Sequence, residues 1–316
     1  MNESFPLTVA KVFREYTRMP IKTSDILYHY TTRAGLTGIL KSGGFRATYR
    51  MRMNDPAEFE YARSLIFKTL KQIGTREDLP PIVQSLTTYA CKKLKKFLEN
   101  STEISSAYCA CLTIASDQQK QWKTYAENGK GFALGINMLN FLSNQSHAVG
   151  KGKPYVYGAP VTYEETAQCD LVCRLVKAGL RDIQAFADTC SQRPEDLTAI
   201  RDRVTQEIVI QLLSLIDFIK DPIFSSEKEF RLILDSNDGS LMAHHVQQYQ
   251  SGEDIIPFVF IDLRDPTTKR LPLAEIKVGP NISFENERRY IEELLDELGY
   301  GEIHNDKPEI TKSICS

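Results

Sequence analysis

Glu227-Lys228-Glu229-Phe230-Arg231-Leu232-Ile233-Leu234 is the segment with the densest chemistry. Alternation puts Phe230, Leu232 and Leu234 on one face of a strand and Glu227, Glu229 and Arg231 on the other. Two carboxylates and a guanidinium on one polar face have two readings. They are a solvated pair of charges worth little, or they are the wall of a site. A second segment, Leu27-Tyr28-His29-Tyr30-Thr31-Thr32, sets an imidazole at the end of a strand that runs straight into a helix. Such a junction offers backbone N–H donors to an anion; the plainer reading is a core histidine bonded to a carbonyl. A third, YCACLTIASDQQKQWKTYAENGKGFALGI, places Trp122 and Tyr125 on a short polar helix between two strands. Aromatics there also serve to anchor a short helix to the core.

The elements that must position these groups follow from the spacing of apolar residues. Strands are expected over residues 25–30, Phe45 to Thr48, 106–114, 132–136, up to about Tyr163, and 228–235, 255–262 and 275–278, with a further strand over 241–249. Helices are expected over 7–19, 32–42, 55–73, 81–99 and 284–298, together with a helical region over 165–219 split near Pro194. Gly43-Gly44 suits a left-handed helix end, and Asn281 or Ser283 suits the cap of the last helix. Asn54-Asp55-Pro56-Ala57-Glu58 reads first as a well-formed helix start. Strands spread over so much of the chain predict one α+β domain, residues 1–316, with 165–219 as a helical insertion or subdomain.

The 316 residues fit one large domain or two small ones, with 42% hydrophobic and 25% charged residues. A net charge of −2 gives no global field for nucleic acid or anionic membrane. The seven cysteines hold no Cys-x-x-Cys knuckle, and the histidines do not cluster with them, so no metal site is expected. Cys109 and Cys111 read as buried thiols. His244 and His245 would fall on opposite faces of a strand, and the lysines of 92–96 read as a solvated helix face. No apolar run reaches a membrane span, the start lacks a signal-peptide layout, and free thiols suit a reducing cytoplasm.

These segments resemble a bacterial family of unknown function that carries HYT, NDPxE, WxxYA and ExEFR-like stretches, here His29–Thr31, Asn54–Glu58, Trp122–Ala126 and Glu227–Arg231. More remotely, their order resembles the ADP-ribosyltransferases of the poly-ADP-ribose polymerase and diphtheria-toxin type. That resemblance implies a mixed or antiparallel sheet core with large helical insertions, and NAD as substrate. It implies His29 on the NAD ribose, with Tyr30 and Thr31 beside it; the family's usual residue at Tyr30 is glycine. It implies Tyr125, or else Trp122, stacked on nicotinamide. Glu229 would stabilise the oxocarbenium-like state, Glu227 would guide the acceptor, and Arg231 would orient Glu229 or hold a phosphate. Asp55 or Glu58 would lie near the NAD cleft; Arg50 and Arg52 read first as a solvated basic loop, and in the functional reading they would meet the pyrophosphate. The acceptor would be a protein or nucleic acid, and the role that of a toxin, effector or phage-defence protein. With water as acceptor the same site is an NAD glycohydrolase. The competing expectation is a non-catalytic module that binds a nucleotide or a protein.

Overall fold

The computed structural model describes residues 5–17, 26–50, 56–78, 81–100, 107–138, 155–190, 193–235, 243–301 and 307–315. Its helices are α1 (Val9–Thr17), α2 (Arg33–Ser42), α3 (Pro56–Gly74), α4 (Pro81–Asn100), α5 (Gln119–Tyr125), α6 (Glu165–Thr189), α7 (Pro194–Leu215) and α8 (Phe284–Glu297). Its strands are β1 (Ile26–Thr31), β2 (Gly44–Tyr49), β3 (Tyr108–Thr113), β4 (Phe132–Asn137), β5 (Tyr155–Pro160), β6 (Glu229–Asp235), β7 (Val246–Ser251), β8 (Asp254–Asp262), β9 (Leu273–Val278) and β10 (Glu309–Lys312). The protein is thus mixed α and β with one large sheet. It divides into two compact units: residues 1–19, 54–104 and 159–225 form one, and residues 20–53, 105–158 and 226–316 the other.

The first unit is helical. In it α3 packs on α4, α6 on α7, and α1 against both α6 and α7. Pro194 opens α7 and so sets the break between the two long helices. Asp182 on α6, buried, takes the role of a cap for another helix. It accepts bonds from the Thr8 and Val9 N–H groups and the Thr8 hydroxyl, so the first donors of α1 are satisfied from outside. Gln168, fully buried, accepts from the Tyr61 hydroxyl and donates to the carbonyls of Thr162 and Lys220. Lys220 in turn pairs with Glu58 at 3.2 Å.

The second unit holds the sheet, in the order β10-β9-β4-β1-β3-β2-β8-β7, with β6 on β3 and β5 on β6. β10 runs parallel to β9, whereas β1 with β4, β3 with β6 and β2 with β8 are antiparallel. One face is largely apolar. Leu27, Phe45, Ala47, Leu112, Leu134, Phe230, Leu232, Val259 and Ile276 meet Leu36 and Leu40 of α2 and Ile291, Leu294 and Leu295 of α8. Gly43 ends α2 at φ 75°, the left-handed position a Cβ disfavours, and its N–H bonds back to Ile39. Gly131 opens β4 where a Cβ would lie 2.2 Å from the Thr31 carbonyl oxygen, so only glycine lets the two backbones meet. Ser283 occupies the cap position of α8 without a side-chain bond, while Asn281 donates to the Asn128 carbonyl.

One edge of β3 is divided between two strands. β2 pairs with it only at Thr48↔Cys109 and Tyr49↔Tyr108, and β1 only at Tyr28↔Thr113. Between those points lies a fork opposite Ala110 to Leu112. On its other edge β3 pairs with β6 along its whole length.

Candidate functional site

His29 sits in that fork. Its Nδ1 is 3.0 Å from the Cys111 carbonyl oxygen, which only accepts, so Nδ1 carries the proton and Nε2 is an acceptor. The ring lies 4.6 Å, centroid to centroid, from Phe45. Burial lowers the His29 pKa from 6.5, against the pull of the Cys111 bond. The unfolded chain therefore takes up this proton at a higher pH than the folded chain does. Stability is full above the unfolded value and falls as pH drops through it, by up to about 1.4 kcal/mol per pH unit. We expect urea midpoints to fall between about pH 7 and pH 5, and the fall to be shallower in His29→Asn, whose amide can still donate to the carbonyl. An equal fall in both would place the titration elsewhere.

The polar face of the sheet gathers most of the other motif residues around α5. Tyr30 is buried, donates its hydroxyl to the Ala115 carbonyl at 3.0 Å and accepts from the Gln118 N–H at 3.1 Å. Burial drives its pKa upward, so the phenol stays protonated. Trp122, 1% exposed, meets the Tyr30 ring edge-on at 4.8 Å. Its indole N–H donates to Asp117 at 2.6 Å, and the same carboxylate accepts from the Ser313 hydroxyl and the Ile314 N–H. Burial opposes the Asp117 charge, yet these three donors together hold its pKa below the usual carboxylate range. Trp122→Phe keeps most of the packing and deletes one donor to a charged acceptor. We expect it to cost about 1.5–3 kcal/mol in urea denaturation; no change would mean Asp117 is satisfied without the indole. Trp122 is thus buried against Tyr30, while Tyr125 stands 41% exposed at the end of α5.

Glu227 lies outside the strand. It ends a 3-10 turn, and Lys228 follows in the left-handed region at φ 45°. That rotation breaks the alternation expected from the sequence, so Glu227 does not share a strand face with Glu229. Instead α5 holds it: its carbonyl accepts from Gln121 at 3.2 Å and from the Thr113 hydroxyl at 2.7 Å, and its carboxylate meets Lys120 at 3.2 Å. Gln118 also donates to the Ser226 carbonyl. Glu229 opens β6 opposite Thr113. Arg231 grips it in two parallel bonds of 3.0 Å, Nε to Oε1 and Nη2 to Oε2. Both are buried, at 8% and 3% exposure, so the pair is neither solvated nor loose.

Strand register decides which groups share a face. Tyr28 pairs with Thr113 and Thr113 with Glu229, so Tyr28, Tyr30, Thr113, Glu229 and Arg231 project to one side. His29 and Thr31 project to the other, with Leu27 and the apolar core. The expected His, aromatic and Glu groups are thus split between the two faces. Glu58 pairs with Lys220 within the helical unit. Arg50 is buried after β2, its N–H bonded to the Ala107 carbonyl. Asn54, Asp55 and Arg52 lie outside the described residues.

Sequence reading missed a second polar cluster on the same face as Tyr28. Glu275 accepts from the Tyr28 hydroxyl at 2.9 Å and from Thr311, and pairs with Lys277 at 2.8 Å. Burial opposes the Glu275 charge, but these partners together hold its pKa low; burial, with Glu275 next, pushes the Tyr28 pKa up. The alternation of Glu275 and Lys277 within Leu273–Val278 was the available signal. Cys109 and Cys111 stand 3.7 Å apart, sulfur to sulfur, on the face of Arg231; their contact and burial raise the Cys111 pKa. Among the described residues no three His, Cys, Asp or Glu side chains are placed to hold a metal ion, and no helix is long and apolar enough to cross a membrane. An open cleft of about 450 Å³, with Gln84, Tyr89 and Lys92 in its lining, belongs to the helical unit and includes none of the motif residues.

Fold and site together define a mixed α/β protein with a charged, largely sealed cluster where β3, β6 and α5 meet. A family model described as a protein of unknown function (DUF2971) matches residues 121–232, which takes in Trp122, Tyr125, Glu227, Glu229 and Arg231. No curated protein and no solved structure matches the chain.

Proposed function

We propose that the sheet unit is an NAD-dependent ADP-ribosyltransferase whose centre is the start of β6. The observation that carries this reading is the pair of buried carboxylates on either side of the left-handed Lys228. Glu229 is oriented by a two-bond grip from Arg231, and Glu227 is held beside Lys120. In the reaction the bond between ribose C1′ and the nicotinamide nitrogen breaks, and its electron pair leaves with nicotinamide. The negative charge of Glu229 favours the cationic ribose so formed. An acceptor then attacks C1′ and gives up its proton, with Glu227 as the nearby base. Arg231 acts as the orienting group for Glu229 rather than as a phosphate ligand. Tyr125 offers the exposed ring, and the His29 Nε2 offers an acceptor for a ribose hydroxyl. Bacterial toxin, effector or phage-defence roles belong to this same proposal.

A second reading is favoured by one observation: His29 and Glu229 leave the sheet on opposite faces. In a non-catalytic module that binds a nucleotide or a protein, the Glu229–Arg231 pair would serve only to close the sheet. The deciding experiment incubates the pure chain with NAD and follows free nicotinamide by chromatography, beside a calorimetric titration of NAD. Nicotinamide release supports transfer, or glycohydrolase action if water is the acceptor. Neither release nor binding of NAD would remove the transferase reading and leave the module.

A further inference from the structure

α4 is amphipathic: Leu86, Ala90 and Leu94 are buried in the helical unit, and Ser85, Thr88, Lys92, Lys95 and Lys96 form the exposed stripe opposite. Between Ser85 and Lys96 there are four lysines and no carboxylate. Among the described residues no carboxylate pairs with Lys92, Lys93 or Lys96. Other helices treat their exposed charge differently. Glu60 pairs with Arg63 on α3, Asp170 with Arg174 on α6 and Arg288 with Glu292 on α8, so those faces neutralise themselves. Lys92 and Lys96 are one helical turn apart, where like charges oppose the helix. A stripe that keeps this repulsion is complementary to a chain of negative charge.

The open cleft of about 450 Å³ adjoins the stripe, with Gln84, Ser85, Thr88, Tyr89 and Lys92 in its lining. Its size is that of a small-ligand pocket, and amide, hydroxyl and phenol groups line it. Tyr89 gathers more positive charge beside it. Lys93 Nζ lies 5.1 Å from the ring centroid, and the guanidinium of Arg201, from α7, lies 5.4 Å away. Arg201 shares its charge with Asp202 in a half-exposed pair at 3.2 Å. At the Gln84 end, Arg76 is taken up by Asp78 and Glu77 is exposed, so the positive charge is concentrated at the Lys92 end. We propose that this face of the helical unit binds a single strand of nucleic acid, with phosphates along the lysine stripe and a base in the cleft. From Ser85 to Lys96 the stripe runs for about 16 Å, long enough for several phosphates. Phosphate contacts supply the affinity, and the polar groups of the cleft meet the edge of an unstacked base. A duplex keeps its base edges inside grooves, where a cleft cannot receive them, and an acidic peptide brings no base. The inference rests on the helical unit alone and is independent of NAD chemistry in the sheet unit.

The test is fluorescence anisotropy of the full chain with labelled single strands of RNA and of DNA, each about 12 nucleotides long, within the usual range of site sizes. Between about 50 and 200 mM salt, the slope of log affinity against log salt is expected to be about −2 to −3, from three or four phosphate contacts at about −0.7 each. Lys92→Glu with Lys96→Glu is expected to weaken binding at least about tenfold and to flatten that slope. Lys177→Glu with Arg181→Glu, exposed on α6, makes the same change in net charge and is expected to weaken it much less. Circular dichroism checks that both variants fold. Competition on the parent chain needs no variant: poly-glutamate and inorganic polyphosphate are expected to displace the strand only at much higher concentrations of charge. No binding at the lower salt overturns the proposal, as does equal weakening by the two variants. Tighter binding of a duplex of the same length, or equal competition by either of the other polyanions, overturns it as well.

Discussion

Arg231→Met is expected to lower the stability of the sheet unit by about 3–5 kcal/mol, and joining it to Glu229→Leu is expected to return most of that loss. The argument is one of desolvation. Arg231 is 3% exposed and Glu229 8%, and they share two charge-assisted bonds of 3.0 Å. Removing one partner leaves the other's charge buried and uncompensated. Removing both leaves an apolar pair of similar volume beside Cys111 and Thr113, which face them across the ladder. A double-mutant cycle by urea denaturation reads the coupling directly. A single variant as stable as the parent would show that water reaches the pair. The same reasoning bears on Glu229→Gln as a test of catalysis. Glutamine keeps the shape but strands the guanidinium, so that variant alone confounds chemistry with stability.

Much of the element order was legible because it rests on local periodicity. The helix over 32–42 and its left-handed glycine end, the break at Pro194, and the strands at 132–136 and 255–262 all stand close to where alternation and capping put them. β10 was missed: only four residues long, it earns its place through pairing with β9, a long-range property. β7 begins at Val246 rather than at 241, and His244 and His245 fall in a turn instead of a strand. The site was legible as a set of residues and not as an arrangement. Nothing near His29 in sequence reveals that Tyr28 pairs with Thr113, yet that one register sends His29 to the apolar face and Glu229 to the polar one. Likewise Lys228 gives no compositional hint of a positive φ, the conformation that takes Glu227 out of the strand and into the grip of α5. Asp117 and its three donors were hidden because two of them, Ser313 and Ile314, are remote in the chain.

The largest kinetic effect is expected at Glu229, measured so that the fold is protected. In the Glu229→Gln, Arg231→Met double variant neither side chain keeps a buried charge, so folding is expected to hold while nicotinamide release falls by about 10²–10³-fold, the range for removing one preorganised electrostatic partner of a transition state. Glu227→Gln makes the contrast. Its carboxylate, 10% exposed, faces a Lys120 side chain that is 43% exposed, so glutamine leaves behind a neutral amide and a cation that water still reaches, and the loss of stability is expected to be smaller than at Arg231. If Glu227 serves the acceptor, its loss leaves NAD cleavage to water near the parent rate and removes transfer to a macromolecule. The two variants thus separate breaking the glycosidic bond from choosing what attacks it. Equal loss in both would merge the carboxylates into one function. Full activity in the double variant would remove Glu229 from the chemistry and leave the Glu229–Arg231 pair as what its burial alone requires, a charged clasp between β3 and β6.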